Sequence, residues 1–117
     1  MVEDCAEACL KCYEICMKTV AVALEINEDQ NLITCLQICA RACELSSEVL
    51  LLQNEFYIKV CNLAADLCEK IADRCEDFEE LEIRHCGEVC SVTARLCRKF
   101  LRQQEGAAFV GAPFLSG

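Results

Sequence analysis

Cysteine recurs along this chain at the spacing of an α-helix. Cys5, Cys9, Cys12 and Cys16 form one run, Cys35, Cys39 and Cys43 a second, Cys61, Cys68 and Cys75 a third, and Cys86, Cys90 and Cys97 a fourth. Steps of three, four or seven residues return a side chain to one face of a helix. At about 100° per residue the first run fills an arc of about 60° and the fourth an arc of about 40°. The two i,i+4 steps of the second run drift by about 80° in total, and the third run repeats every seven residues. Small disulfide scaffolds show no such period, because their cysteines sit in loops. Four helices, each with one sulfur-bearing face, are what the pattern demands.

The stretches between the runs agree. Pro113 is the single proline, and of the four glycines only Gly87 lies before residue 106, so residues 3–103 are nearly free of helix breakers. The predicted helices are 3–26, 30–53, 55–78 and 81–103. They are separated by Asn27, Glu28 and Asp29, by Gln53 and Asn54, and by the acidic stretch from Glu76 to Glu80. Such short connections force neighbouring helices to run antiparallel. The expected fold is therefore all-α: an antiparallel up-down-up-down four-helix bundle with a cysteine-lined core. It is expected over residues 1–104, with 105–117 as a non-helical C-terminal arm. Val20, Ala23, Leu32, Leu50, Ala65, Ala72 and Leu101 share the sulfur faces, while Glu7, Lys11, Glu14, Lys18, Asp66, Glu69, Asp73, Glu88 and Arg95 mark the opposite ones. All thirteen thiols are expected to point inward.

Charge and hydropathy narrow the partners. Twenty acidic residues against eleven basic give a net charge of −9, which repels phosphate backbones and argues against nucleic acid. No apolar run approaches the roughly 18 residues of a membrane span. The first residues, MVEDCAEAC, lack the basic and apolar regions of a secretory signal, so the reducing cytoplasm is the expected compartment.

A core built from thirteen cysteines forfeits about 0.8 kcal/mol for every CH₂ that a leucine or isoleucine would have added. Metal bound by thiolates would fill the space and cross-link the helices. Charge then separates the metals. Each Cu(I) replaces one thiol proton with one positive charge, so many ions enter without charging the interior. Zn²⁺ held by four thiolates leaves a net −2 at every site, with no basic residue in the stripes to offset it. Soft thiolates also select Cu(I). Five i,i+4 pairs can bracket an ion on one helix: Cys5/Cys9, Cys12/Cys16, Cys35/Cys39, Cys39/Cys43 and Cys86/Cys90. Cys61, Cys68, Cys75 and Cys97 must ligate across helices. Matching helix midpoints gives expected levels of Cys9, Cys61 and Cys97; then Cys12 and Cys43; then Cys16, Cys39, Cys68 and Cys90; then Cys35, Cys75 and Cys86.

The runs CAEACLKCYEIC, CLQICARAC and HCGEVC resemble those of the cysteine-rich four-helix bundle copper storage proteins, over about residues 3–103. The resemblance implies storage of multiple Cu(I) ions inside the bundle, with all thirteen cysteines as ligands. It also implies a cytosolic branch and a possible homo-oligomer, a tetramer in some members. The last helix departs from the family pattern at Ile83 and Thr93, where further cysteines would fit the stripe. His85, the single histidine, lies about 100° off its stripe and reads as a solvated residue; Met17 is the one internal methionine. The rival readings are a zinc or iron–sulfur bundle and a disulfide-stapled structural protein. An enzyme is disfavoured, because no Ser/His/Asp set, phosphate loop or histidine–carboxylate cluster appears.

Overall fold

The computed structural model describes residues 2–26 and 30–109. Four helices account for nearly all of them: α1 (Val2–Glu25), α2 (Gln30–Leu51), α3 (Tyr57–Cys75) and α4 (Leu81–Phe109). Glu3 and Asp4 in the first turn of α1, and Glu82 in that of α4, place negative charge against the positive end of the helix dipole. The α2 terminus is a Schellman turn. Asn54 N–H donates to Val49 O at 2.9 Å and Gln53 N–H to Leu50 O at 3.3 Å, with Gln53 in the left-handed region at φ 57°. Asn54 then turns the chain into α3 by accepting the Phe56 N–H on its Oδ1 at 2.9 Å.

Helix boundaries fall within three residues of those expected except at the C-terminus. There α4 runs on to Phe109, so residues 105–109 of the expected non-helical arm are helical. One glycine costs a helix about 1 kcal/mol, too little for Gly106 to stop one that Ala107 and Ala108 continue. Residues 110–117 of that arm and the expected turn at Asn27, Glu28 and Asp29 lie outside the described residues.

Around the bundle, α1 packs on α2 and α4, and α3 packs on the same two. Cys5 meets Cys97 at 3.7 Å and Cys16 meets Cys86 at 3.9 Å, an early residue with a late one each time, so α1 and α4 are antiparallel. Cys9 with Ser46 and Ser46 with Cys61 set the same sense for α1/α2 and α2/α3. The core changes character along its length. Sulfur and alanine, with Ala40, Ala64, Ala65 and Ala94 buried, dominate the middle, where Leu36 and Ile71 are the large apolar side chains packed among them. Leu50, Tyr57, Phe100 and Leu101 close one end, where the Tyr57 ring meets Phe100 edge-on at 6.2 Å. Val20, Ala23, Leu32 and Ile83 close the other. All nine charged residues expected on the outer faces are exposed, and of the expected core positions only Cys35 and Ala72 are half-exposed.

Gly87 lets α3 and α4 approach closely, since a Cβ there would stand 2.7 Å from the Cys75 Cβ. On the surface, Arg98 ties the same helices together by donating to Asn62 Oδ1 at 2.8 Å, to Glu69 Oε1 at 2.9 Å and to Asp66. Gly87→Ala is expected to lower apo stability by about 1–3 kcal/mol despite its better helix propensity. Gln53→Gly should raise it by about 1 kcal/mol by relieving the left-handed backbone. Urea denaturation of the metal-free protein checks both.

Candidate metal centre

The four sulfur stripes converge. Twelve cysteines are 2% exposed or less, and their sulfurs meet across the bundle axis. Cys68 on α3 is a hub, 3.7 Å from Cys12, 3.7 Å from Cys39 and 3.6 Å from Cys43. Its contact with Cys12 spans the diagonal between α1 and α3. Cys12 also lies 3.6 Å from Cys90, and Cys16 lies 3.8 Å from Cys90. Three groups have all their sulfurs within 4.8 Å of one another: Cys12/Cys39/Cys68/Cys90, Cys5/Cys9/Cys97 and Cys16/Cys86/Cys90. Cys61 joins the second group through Ser46, which hydrogen-bonds both Cys9 and Cys61, and Cys75, fully buried, faces Gly87 on α4 beside Cys86.

These separations suit metal better than disulfide. All thirteen cysteines are free, and sulfurs 3.6–3.9 Å apart are far beyond an S–S bond of about 2.05 Å. An ion about 2.3 Å from two such sulfurs would see them at an angle of about 103–116°, which matches three- or four-fold thiolate coordination.

The chain matches the model of the copper storage protein family over residues 1–102. It belongs to the copper storage protein family. Its fold is similar to that of the Cu(I)-bound copper storage protein BsCsp3, with a TM-score of 0.77 at 27% identity over 83% of this chain and 94% of the other. It also resembles the Nmul_A1745 protein from Nitrosospira multiformis, with a TM-score of 0.65 at 27% identity over 81% and 95% of the two chains. The uncharacterized cysteine-rich protein YhjQ of Bacillus subtilis is 28% identical over 99 residues, 82% of this chain and 92% of that one.

Within this copper storage fold the levels differ from those expected by about a turn of α1. Cys12, not Cys16, joins Cys39, Cys68 and Cys90, and Cys5 joins Cys9 and Cys97. Midpoint matching assumes flush helix ends, and turns of unequal length let the helices slide past one another. Cys35 departs from the expected inward set, being half-exposed. The i,i+4 drift of α2 rotates it about 80° from Cys43, out of the axis and onto the α2/α3 seam. His85 is exposed, as its angle implied, and Met17 is half-buried against the core.

Two participants were not anticipated. Ser46, fully buried, accepts from Cys9 at 3.4 Å and shares a 3.1 Å hydrogen bond with Cys61. Its position three residues after Cys43, on the same stripe, was the available signal. Arg74 donates to Cys35 Sγ at 3.3 Å and to Asn31 Oδ1 at 2.8 Å, a contact between helices that no local spacing announces.

Hydrogen bonding among the sulfurs divides the thiols. Cys90 is pushed up by its hydrogen bonds with Cys12, Cys16, Cys39 and Cys68 and by burial, and Cys43 by those with Cys12, Cys39 and Cys68. Cys12 is held low by hydrogen bonds from Cys16, Cys39, Cys43 and Cys68, and Cys9 is drawn down to about 4 by those from Cys5 and Cys97. Every group thus mixes thiols held low, Cys12 and Cys39 in the four-sulfur group, Cys9 and Cys86 in the other two, with neighbours that are held up and donate to them.

The sign of the pH dependence follows. Above pH 9.0, the ordinary thiol value, Cys5, Cys16, Cys43, Cys68, Cys75, Cys90 and Cys97 are held up in the fold. The unfolded chain ionises there and the lowered thiols are ionised in both states, so the folded state binds more protons. Stability is lost as pH rises, by up to about 1.4 kcal/mol per pH unit for each thiol held up. The urea midpoint of the apo protein is expected to be lower at about pH 10.5 than at about pH 8.5; equal midpoints would contradict this assignment.

Proposed function

We propose that this chain stores Cu(I) on thiolates inside its bundle, with Cys5, Cys9, Cys12, Cys16, Cys35, Cys39, Cys43, Cys61, Cys68, Cys75, Cys86, Cys90 and Cys97 as the ligand set. The observation that carries the reading is the convergence of buried sulfurs from all four helices into three groups with no sulfur pair beyond 4.8 Å. Each entering ion displaces a thiol proton, so a core filled at up to about one ion per sulfur stays near neutrality. Zinc would accumulate buried negative charge, and no cation touches the twelve buried sulfurs among the contacts described. The role is sequestration without catalysis, in the cytoplasm. No helix among the described residues is long and apolar enough to cross a membrane. Self-association, as a tetramer by family resemblance, is supported by Ile38 and Leu45, exposed seven residues apart on α2, and by Leu52, exposed in the turn just after it.

Anaerobic titration of the apo protein with Cu(I), followed by native mass spectrometry, tests the reading. Many ions per chain are expected, with about one proton released per ion and a strong rise in thermal stability. One to three Zn²⁺ in preference to copper would overturn it. Cys39→Ser, which breaks the four-sulfur group and two i,i+4 pairs, is expected to lower the ion count and leave the helical circular dichroism intact. An unchanged count would exclude Cys39 as a ligand.

A further inference from the structure

Copper destined for the axis has to pass the protein wall. Among the described residues the ends are packed with apolar side chains, Leu50, Tyr57, Phe100 and Leu101 on one side and Val20, Ala23, Leu32 and Ile83 on the other, and a small cavity of about 80 Å³ beside Phe100 touches Cys5 alone of the sulfurs. Twelve of the thirteen thiols are 2% exposed or less, and Cys35 alone is half-exposed. It lies on the seam between α2 and α3, where its thiol donates to Asn31 Oδ1 at 3.3 Å. From α3, the Arg74 guanidinium donates to Asn31 at 2.8 Å and to the Cys35 sulfur at 3.3 Å. One turn along α2 is Cys39, fully buried and 3.7 Å from the hub sulfur of Cys68. Cys35, Cys39 and Cys68 form a stair from the surface to the axis.

The charge at the top of the stair differs from that of the interior. A Cu(I) ion shared by two thiolates carries a net −1, which is costly in a closed core but is offset here by the adjacent guanidinium. The seam therefore tolerates the two-coordinate, mixed-thiolate species through which Cu(I) moves between sulfurs.

We propose that the Cys35–Arg74 seam is the port of the copper store, where Cys35 takes Cu(I) from a copper–thiolate donor by ligand exchange and passes it to Cys39. In the exchange a Cu–S bond of the donor breaks as the bond to Cys35 Sγ forms. The Cys35 proton goes to the departing donor thiolate, and copper stays monovalent throughout. Attack by Cys39 releases the second donor thiol in the same way. Arg74 is a positioning residue: it holds Cys35 at the seam and offsets the charge of the intermediate. The proposal rests on the storage reading and deepens it by naming the donor's chemistry and its point of contact.

The test is the rate of anaerobic loading of the apo protein from a Cu(I)–glutathione complex, with the final ion count read separately. Cys35→Ser is expected to slow loading by about tenfold or more, because exchange depends on access to the attacking thiol, while the final count falls by no more than about one ion. The buried control Cys75→Ser should lose capacity without slowing the first ions. Arg74→Gln should slow loading with capacity unchanged, and Arg74→Lys should recover much of the rate. If wild type loads and Cys35→Ser loads equally fast, the port is wrong and storage stands. If wild type takes up no copper, the storage reading itself fails.

Discussion

Thiols packed at 3.6–3.9 Å along the bundle axis can be buried only while each sulfur that ionises is hydrogen-bonded by neighbours that keep their protons. A single uncompensated thiolate in such surroundings costs several kcal/mol. That constraint connects the parts of the molecule. It keeps the metal-free core mostly protonated, with neighbouring S–H groups donating to whichever sulfur ionises first. It favours a cation that replaces one proton with one charge over a divalent ion, and it leaves the guanidinium of Arg74 to the seam, where an unbalanced species can form.

The same stack weakens the fold it occupies. Cysteine and alanine supply little apolar area, so the middle of the bundle contributes less than a leucine core would. Compensation comes from the ends, where Leu50, Tyr57, Phe100 and Leu101 on one side and Leu32 and Ile83 on the other are packed out of solvent, and from Arg98 clamping α3 to α4. Small side chains also let the helices approach, most closely where Gly87 faces Cys75. An apolar plug at each end and a thin-walled sulfur middle are thus two consequences of one choice of residues.

Much of this was legible before any coordinates. The i,i+4 and i,i+7 spacing placed the cysteines on one face of each helix, and Cys9 with Cys97 and Cys39 with Cys68 and Cys90 came out as neighbours. Ser46 was overlooked because a serine on a stripe of cysteines reads as a substitution, whereas packed inside it has become a hydrogen-bonding bridge between Cys9 and Cys61. The end of α4 was misplaced because a lone glycine weighs more in a sequence pattern than in a helix whose following residues are strong formers.

Periodicity by itself determined that there are four helices, which face of each bears sulfur, and that those faces must be buried together, because helical geometry is local and repeats every few residues. Tertiary structure alone decided how far each helix slides along its neighbours, hence which sulfurs share an ion-sized space. It also decided that Cys35 turns out to the seam beside Arg74. Axial offset and helix rotation are set by end packing and turn geometry between segments distant in the chain, and no spacing within a single helix encodes them.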